Sequence, residues 1–464
     1  MRHIALTLNG PVADFCRNEL FPATGYEAGA IMLLGINDSS GGLHGSERRY
    51  LSHSVACVPD EDIDVATRQR FAWRKQTFLR LLKEAKDRRL AIGFVHSHRG
   101  VDAFFSEADN IHDEEVSELV LKRTKGQVDY VSMVVDEDGG LVARAYSGGQ
   151  PPVLARLRTT LGAHWNWRSS AVLIRKVDAF DRQVLAFGPD FLKTLGHIRI
   201  GVIGAGATGS ATATMLVRNG ATDLLLVDPD IVEHTNLSRL HGATTRDADQ
   251  GRSKVLVLAE YLCSFGLGTN VQSIEDTASS LKVREALKCC DLVFGCTDDH
   301  SGRLFMNRFA YYNNVPFVDM GILIDPTRRT SGFITSADAR VTVVQPGVPC
   351  LLCRNIIDPI RARDEDLERD APDMFEHQFR DGYVLRANVP NPAVITLTTS
   401  VASMAIDEVT ARLTRFRKPV DHRVHKHHLL KDTFPGASCD CQICGAPDCW
   451  GLGDVEPFLG RAGL

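Results

Sequence analysis

The sequence lacks long hydrophobic runs, a marked excess of either charge and any stretch of low complexity. No segment contains the roughly 18 consecutive apolar residues that a membrane-spanning helix needs, and the beginning, MRHIALTLNG, does not follow the pattern of a signal peptide. The formal net charge of −5 gives no electrostatic reason to expect a nucleic acid or a membrane surface as a partner. These absences predict a cytoplasmic globular protein.

The sequence also lacks the setting in which disulfides are common. Disulfide frameworks belong mainly to small secreted domains, whereas this chain has 464 residues and no secretion pattern. Its 12 cysteines are therefore expected to bind metal or to carry thiol chemistry. The length is sufficient for two or three domains, each with its own hydrophobic core.

Two patterns of secondary structure divide the chain. Residues 1–155 mix short apolar runs with one long helical stretch, 64–89, and predict a compact α/β domain. The turn-forming SGGQPPV marks its end, and residues 156–177 are assigned to a connection. Residues 178–464 alternate strand, glycine turn and helix, which predicts a doubly wound, largely parallel sheet. The acidic run 362–373 is expected to be a solvated or mobile loop.

Two histidines one residue apart follow the apolar run LAIGFV. As residues i and i+2 of a strand, His96 and His98 point to the same face, and Asp109 follows where a helix can begin. Two imidazoles and one carboxylate leave a zinc position open for water, as catalytic zinc requires. A second carboxylate can take the water's proton, and a hydroxyl can stabilise the oxyanion. The alternative is a pair of structural histidines beside a helix capped by Ser106.

The spacing His96-x-His98, seven residues, Ser106-x-x-Asp109 resembles the JAMM (MPN-type) metalloprotease family. The resemblance implies that both histidines and Asp109 bind a catalytic Zn²⁺ and that Ser106 assists the oxyanion. It assigns the general base to Glu27 in YEAGAIMLLG, although the family pattern E-x-x-G-x-L-x-G is matched only in part. Members of the family cleave peptide or isopeptide bonds next to the C-termini of ubiquitin-like proteins, while some relatives are scaffolds.

A glycine turn, GVIGAGATGSA, lies between an apolar run and a predicted helix. Gly204, Gly206 and Gly209 let the backbone approach phosphates, whose charge the amides at a helix N-terminus can meet. Asp228 ends the next predicted strand about 20 residues further on, where a carboxylate can hold ribose hydroxyls. This pattern alone fits an NAD-dependent dehydrogenase equally well.

Four more motifs separate these possibilities. VDPDIVEHTNLSRL, GRSKV and GCTDD follow the glycine turn in that order, and DRQVLAFG precedes it. Together they resemble the ThiF/MoeB superfamily of ubiquitin-like-protein activating enzymes, over about residues 178–450. Enzymes of that superfamily adenylate the C-terminal carboxylate of a ubiquitin-like or sulfur-carrier protein. The superfamily pattern C-T-D-N reads CTDD here, a departure at Asp299.

The resemblance implies a role for each matching residue in an ATP site. Arg239 and Lys254 neutralise the triphosphate, and Asp298 holds Mg²⁺. Asn236 contacts phosphate or metal. A carboxylate that attacks the α-phosphate needs positioning and charge stabilisation rather than a protein nucleophile.

Two further residues of these motifs complete the implied site. Asp230 belongs with Asp228 to the D-x-D motif that binds the nucleotide. Arg182, on the helix of DRQVLAFG, is expected to reach the ATP site of the other subunit, so the resemblance implies a homodimer.

Two C-x-x-C pairs predict a tetrahedral structural zinc site with the ligands Cys350, Cys353, Cys441 and Cys444. Cys439 is close enough in sequence to compete as a ligand. Many activating enzymes carry a catalytic cysteine between such pairs, and no cysteine stands between Cys353 and Cys439 here. This absence predicts adenylation without an internal thioester and hand-off to an external thiol, a sulfide or a conjugating enzyme.

The sequence thus predicts a bifunctional enzyme that trims or releases a ubiquitin-like protein and then activates its C-terminal carboxylate. Its cofactors are ATP, Mg²⁺ and two Zn²⁺, one catalytic and one structural, and its partner is a ubiquitin-like or sulfur-carrier β-grasp protein. The setting is a conjugation system, with antiviral defence as one form, or a sulfur-carrier pathway. Three alternatives stay open: an N-terminal domain that only docks the partner, an NAD-dependent dehydrogenase, and a nucleotide-sensing adaptor without activity.

Overall fold

The structure is a computed structural model that describes residues 3–42, 45–161, 164–168, 178–325, 336–380, 384 and 392–455. It divides into two compact units. Unit 1 comprises Met1–Ala171, Tyr311–Asn314 and Ala446–Leu464, and unit 2 comprises Val172–Ala310 and Val315–Gly445. The predicted division ended the first domain at 155, treated 156–177 as a connection and assigned 178–464 to the second domain. It therefore differs from these units in the connection, at Tyr311–Asn314 and at Ala446–Leu464.

Unit 1 is a mixed sheet with helices on both faces. Its strands are β1 (His3–Asn9), β2 (Gly29–Gly42), β3 (Gly45–Cys57), β4 (Ile63–Ala66), β5 (Phe71–Trp73), β6 (Ala91–His98), β7 (Tyr130–Asp136), β8 (Leu141–Tyr146), β9 (Val153–Leu154), β10 (Arg156–Leu161) and β11 (His164–Arg168). Its helices are α1 (Gly10–Glu19), α2 (Gln76–Arg88) and α3 (Glu107–Thr124). The main sheet has nine strands in the order β11-β10-β1-β3-β2-β6-β7-β8-β9, and β4 pairs with β5 alone.

Alternation along β6 divides its side chains between two cores. Ala91 and Val95 pack on the side of α1, whereas Ile92 and Phe94 pack on the side of α2 and α3. Because β6 lies between β2 and β7, all its residues are buried. The two histidines at its end continue the second set and therefore face α3.

The long helix predicted for 64–89 is wrong over its first part. The strands β4 and β5 occupy residues up to Trp73, and α2 begins only at Gln76. Phe71 and Trp73 have the two-residue spacing of a strand, and the Trp73 ring stacks on Phe94 of β6 with 4.8 Å between ring centroids. Burial of these aromatic rings therefore overrides the helical spacing of the later residues.

Two short segments from later in the chain complete unit 1. Leu452 and Tyr312 join the core that faces α2 and α3. The carbonyl of Trp450 accepts a hydrogen bond from Nδ1 of His53 at 2.7 Å, and the amide of Asp454 donates to the carbonyl of Ile36 at 2.8 Å. Cys449 is half-buried against the same core.

Unit 2 is a doubly wound sheet with an antiparallel extension. Its strands are β12 (Arg199–Ile203), β13 (Asp223–Val227), β14 (Asn270–Ile274), β15 (Leu292–Gly295), β16 (Phe317–Asp325), β17 (Ser336–Val344), β18 (His422–Lys426) and β19 (Lys431–Thr433). They run in the order β14-β13-β12-β15-β16-β17-β18-β19. The strands from β14 to β16 are parallel, and those from β16 to β19 are antiparallel. The predicted α/β fold with a doubly wound sheet is confirmed.

Ten helices of unit 2 lie in the described residues: α4 (Asp181–Phe187), α5 (Pro189–His197), α6 (Ala207–Arg218), α7 (Thr245–Asp249), α8 (Lys254–Cys263), α9 (Leu281–Leu287), α10 (His300–Tyr312), α11 (Pro359–Asp370), α12 (Pro372–Arg380) and α13 (Ile395–Thr414). The acidic run expected to be a loop is helical instead, in α11 and the start of α12. Asp358 caps α11 by accepting from the amides of Ile360 and Arg361, and Ala362 and Asp364 are buried. This cap and the buried face stabilise a helix that charge density alone did not predict. None of the described helices is both long and apolar enough to cross a membrane.

Candidate functional site

The candidate metal centre of unit 1 lies where β6 ends and α3 begins. His96 and His98 project from the end of β6, and Asp109 is the third residue of α3. Ser106 caps that helix: its hydroxyl accepts from the amide of Asp109, and the Asp109 carboxylate accepts from the amide of Ser106 at 2.8 Å. The capping alternative is thus real, but the same carboxylate also faces both histidines.

The three ligand atoms converge on one point. Nε2 of His96 lies 2.9 Å from Oδ1 of Asp109, Nε2 of His98 lies 3.4 Å from Oδ2, and the two Nε2 atoms are 3.2 Å apart. Tetrahedral ligands at about 2.1 Å from zinc are about 3.4 Å from one another, so this set fits one ion. A neutral ring that offers Nε2 to a metal carries its proton on Nδ1, and both Nδ1 atoms are buried without a partner in the described part of the chain.

Packing and charge prepare the three ligands. Phe94 stacks on the His96 ring at 5.7 Å, and Phe104 meets the His98 ring edge-on at 5.4 Å. Burial by itself would raise the pKa of the Asp109 carboxyl, but the hydrogen bonds with the two histidines lower it by a larger amount. The pKa of Asp109 therefore lies well below the usual range. The hydrogen bond with Asp109 raises the pKa of His98.

Glu27 is the buried carboxylate next to this centre. It precedes β2, and its amide donates to the carbonyl of Thr67 at 2.8 Å. Burial raises the pKa of its carboxyl, while the charges of His96 and His98 oppose that rise, which places the three side chains in one electrostatic neighbourhood. A carboxyl with a raised pKa beside a metal centre has the chemistry of a general base or acid.

Ser106 has a different set of contacts from the one its predicted role needs. Its hydroxyl donates to Oδ2 of Asp109 at 2.7 Å in addition to accepting from the Asp109 amide. These bonds orient the ligand carboxylate. The oxyanion role of Ser106 stays a prediction.

The four cysteines of the two C-x-x-C pairs come together in unit 2 as the sequence predicts. Sγ of Cys350 lies 3.4 Å from Cys441, Sγ of Cys353 lies 3.4 Å from Cys444, and Cys441 and Cys444 are 3.6 Å apart. Zn–S bonds of about 2.3 Å place tetrahedral sulfur ligands about 3.8 Å apart, so the cluster fits a structural zinc. Cys439 is exposed and lies outside the four-residue cluster.

The glycine turn follows β12 at the point where strand order reverses between β12 and β15. Gly204 has φ +91, and a Cβ there would meet the backbone of Cys296 at 2.9 Å. The turn therefore needs glycine at this position. Gly206 is the N-cap of α6 and makes no side-chain cap, and the first amides of a helix have no acceptor within the helix itself. Gly209 lies inside α6 against the carbonyl of Gly204.

A cavity of about 430 Å³ opens at this edge of the sheet. The predicted residues that line it are Gly204, Gly206, Asp228, Asp230, Arg239, Lys254 and Asp298. This position, outside the carboxyl ends of parallel strands where the order reverses, is where doubly wound sheets bind nucleotides. A triphosphate needs cations and backbone amides, and the cavity has both.

Within the cavity the charged side chains are held by one another and by the backbone. Lys254 donates to Oδ2 of Asp230 at 2.7 Å, and Arg239 donates to the carbonyl of Thr235 at 2.7 Å. Asp228 accepts from the amides of Ala205 and Asp230. Burial raises the pKa of the Asp228 carboxyl, and Lys254 opposes the rise. In this arrangement Asp228 supports the glycine turn, and its contact with ribose stays a prediction.

Three predicted residues do not line the cavity: Gly209, which lies inside α6, Arg182 and Asn236. Arg182 is exposed on α4, as expected of a side chain that would serve another subunit, and dimerisation stays a prediction. Asn236 is buried and closes a short turn, where its Oδ1 accepts from the amide of Glu233 at 3.2 Å.

Two cavity cations were missed by sequence reasoning. Arg303 donates to the carbonyls of Thr297 and Asp298 at 2.7 and 3.2 Å, so it holds the loop that presents Asp298. Arg369 lies in the acidic run on α11 and lines the cavity. Its neighbours in sequence are mainly acidic, and the segment was therefore predicted to be a solvated loop rather than part of a phosphate site. The position of Arg303 after GCTDD was the one available signal.

Family comparisons agree with this division of sites. The model of the ThiF family matches residues 180–446. A model described as prokaryotic homologs of the JAB domain matches residues 16–142.

Curated relatives match the ThiF part. The sulfur carrier protein ThiS adenylyltransferase of Bacillus subtilis is 28% identical over 38% of this chain and 49% of its own length. The SAMP-activating enzyme E1 of Haloferax volcanii is 25% identical over 38% and 62% of the two chains, and the molybdopterin-synthase adenylyltransferase of Escherichia coli is 28% identical over 38% and 66%. The matches thus span between about half and two thirds of these relatives. A crystal structure of E. coli MccB with succinimide covers 58% of this chain and 75% of its own at 15% identity and a TM-score of 0.44, too weak a likeness to support a conclusion.

Residues 180–446 are more than half of the 464 residues, and they contain the glycine turn, the cavity and the cysteine cluster. The histidines and Asp109 lie in the JAB-matched part. The chain belongs to the ThiF family and carries a JAB-type domain ahead of its ThiF region.

Proposed function

We propose that the chain adenylates the C-terminal carboxylate of a ubiquitin-like or sulfur-carrier protein, and that its JAB-type domain is a zinc-dependent peptidase for the same class of partner. The cavity beside the glycine turn carries this proposal, because it combines exposed backbone amides, Lys254, Arg239 and Asp298. The relatives include a ThiS adenylyltransferase and a SAMP-activating enzyme, and their names support the choice of partner. Membership of the ThiF family argues against the dehydrogenase alternative.

The chemistry of unit 2 is a displacement at phosphorus. A carboxylate oxygen of the partner attacks the α-phosphorus of ATP, the bond to the bridging oxygen breaks, and pyrophosphate leaves. Lys254 and Arg239 offset the charge that collects on the phosphates, and the start of α6 supplies amides. Asp298 is the carboxylate placed to hold Mg²⁺, which when bound neutralises phosphate charge. No protein nucleophile is needed.

The chemistry of unit 1 is a hydrolysis. A zinc ion held by His96, His98 and Asp109 would lower the pKa of a bound water towards about 7. Glu27, buried beside the ligands, can take a proton from the attacking water and return it to the leaving nitrogen. The partner's flexible C-terminal tail is a substrate that both units can use, one to shorten it and the other to activate it.

The test is the intact mass of a candidate β-grasp protein that carries a C-terminal extension. The full chain is incubated with it, Zn²⁺ and Mg-ATP, beside the variants Glu27→Ala and Asp298→Ala. We expect loss of the extension followed by gain of an AMP adduct. With the extended partner Glu27→Ala should abolish both changes, because the carboxylate to be activated stays blocked, but it should still form the adduct on a pre-trimmed partner. Asp298→Ala should abolish only the adduct.

Other outcomes favour the alternatives. An adduct on a pre-trimmed partner without any trimming would identify the JAB-type domain as a docking domain. If neither change occurs across several β-grasp partners, the proposal fails and a nucleotide-sensing adaptor is favoured. The homodimer and the hand-off to an external acceptor stay predictions. Once a β-grasp partner is identified, both can be tested with it.

A further inference from the structure

Arg144, a buried arginine, contacts the first turn of α3, which carries Asp109. Arg144 lies on β8, and its Nη1 donates to Oδ1 of Asn110 at 2.6 Å. Its Nη2 reaches the backbone carbonyl of Asp109 at 3.3 Å. The guanidinium also covers the ring of Phe105, 3.8 Å from its centroid. Arg144 thus contacts residues on both sides of Ser106, the cap of α3.

The carboxylate of Asp113 holds the Arg144 guanidinium in place. Nε and Nη2 of Arg144 donate to Oδ2 of Asp113 at 2.9 and 2.5 Å, and the hydroxyl of Tyr130 donates to Oδ1 at 2.9 Å. Asp113 is 2% exposed and Arg144 9%. A buried, satisfied pair of this kind has one favoured geometry, since loss of either partner leaves an uncompensated charge.

We infer that Arg144 is a positioning residue for the metal centre. It ties the first turn of α3 to the sheet that carries His96 and His98, and so sets the place of the Asp109 carboxylate. Metal sites tolerate errors of only about 0.2 Å in ligand distance, so small movements of this turn reduce affinity. A lysine keeps the charge but cannot bridge Asp113, Asn110 and a carbonyl at once, because it lacks the planar fork. The inference rests on the proposed zinc binding of unit 1.

The competing explanation is that Arg144 only stabilises the fold. Arg48 provides the matched control: it lies on β3 in the same unit and donates to Asp38 at 2.6 Å and Asp129 at 2.6 Å. Within the described part of the chain its hydrogen-bond partners are Asp38, Asp129 and Ser147, none of which belongs to α3 or to the metal ligands. Arg48→Lys therefore removes a half-buried guanidinium fork that also bridges two carboxylates, without touching the turn that presents Asp109.

The experiment measures zinc affinity of the full chain by chelator competition, with the absorption spectrum of bound Co²⁺ as a second readout. The variants are Arg144→Lys, Arg48→Lys, His96→Ala and Asn110→Ala. We expect Arg144→Lys to lower affinity at the histidine centre roughly 10- to 100-fold and to alter the Co²⁺ spectrum. Arg48→Lys should change affinity less than about twofold, by the same principle that only groups linked to a ligand tune it.

Asn110→Ala keeps the test decisive if Arg144→Lys folds poorly. Asn110 is exposed, so its removal breaks one link to the guanidinium without burying an unpaired charge. A loss of affinity of roughly two- to tenfold is expected, equivalent to one hydrogen bond. Unchanged affinity in both Arg144→Lys and Asn110→Ala, or an equal loss in Arg48→Lys, overturns the inference while zinc binding by the parent chain stands. A parent chain whose zinc content is unaffected by His96→Ala overturns the proposed metal centre itself, and the inference with it.

Discussion

The two candidate sites differ in how much of the chain is needed to build them. The metal centre of unit 1 takes its three ligands from the end of one strand and the start of the next helix, between His96 and Asp109. The cavity of unit 2 is lined by residues from Ile203 to Thr398. A local site keeps its ligands together through secondary structure, whereas a dispersed site depends on the order of the strands. The difference explains why spacing grouped all three residues of the first cluster but missed two cations that line the second site.

The sites also differ in how their charges are balanced. At the metal centre one carboxylate meets two imidazoles, and a cation is the group that would complete the set. In the cavity, cations and carboxylates already pair with each other, as Lys254 does with Asp230. An incoming nucleotide must therefore compete for Lys254, whereas an incoming metal displaces the protons that its ligands share and meets the hydrogen bonds from Ser106 to the Asp109 carboxylate.

The largest expected effect is at the metal centre. His96→Ala removes one of three ligands, and the two that remain cannot complete a zinc site. We expect metal loss from this centre and retention at the four cysteines, as measured by zinc content of the purified chain. Adenylation should be unchanged, because the cavity is lined by residues of unit 2. Loss of both metals, or of adenylation, would break the comparison.

A substitution in the cavity should have the opposite effect, because it should slow adenylation and leave the zinc content unchanged. Lys254→Ala removes the cation that faces the phosphates and is expected to slow ATP–pyrophosphate exchange by roughly 100- to 1,000-fold. Zinc content should be equal to that of the parent chain. Lys282→Ala, which removes an exposed lysine of α9 that does not line the cavity, is the control. Exchange at the parent rate in Lys254→Ala would remove this residue from the ATP site.

A smaller effect concerns the stability of unit 2 against acid. Burial, with Arg354 and Arg340 nearby, lowers the pKa of His422 to about 4, although Asp319 opposes the shift. The unfolded chain protonates this histidine near pH 6.5, so stability falls as the pH drops below that value. The loss attributable to His422 is up to about 2 kcal/mol at pH 5.

Urea unfolding at pH 7 and pH 5 checks this expectation. His422→Gln should lose less stability between the two pH values than the parent chain, because its amide does not titrate. Its hydrogen-bond partner, the hydroxyl of Thr342 at 2.9 Å, can still bond to glutamine. Equal losses in the two proteins would show that His422 does not contribute.

The smallest effect is expected from Arg369, one of the two cavity cations that sequence reasoning missed. Arg369 lines the cavity and now pairs with Asp366 at 2.6 Å and Asp370 at 2.8 Å, so part of its charge is already neutralised. Arg369→Ala should raise the KM for ATP about 5- to 10-fold and leave kcat nearly unchanged. A change in kcat alone would instead give it a role in the transition state.

Sequence reasoning succeeded where the chemistry depended on spacing. The strand that carries His96 and His98, the glycine turn after β12 and the pairing of the two C-x-x-C segments follow from local patterns and ligand chemistry. It failed at 64–89, where aromatic packing between β5 and β6 decided the structure, and at 362–373, where a capped helix formed in a charged segment. In both places contacts with distant residues outweighed composition.

The sequence by itself determined which atoms could bind a metal or a phosphate, because ligand type and local period are properties of neighbouring residues. Only the tertiary structure decided that Arg303 and Arg369 line the cavity, that Arg144 lies beneath Asp109, and that residues around Trp450 complete unit 1. These contacts join residues far apart in the chain, and their geometry is set by strand order and burial. No pattern of neighbouring residues encodes such distances.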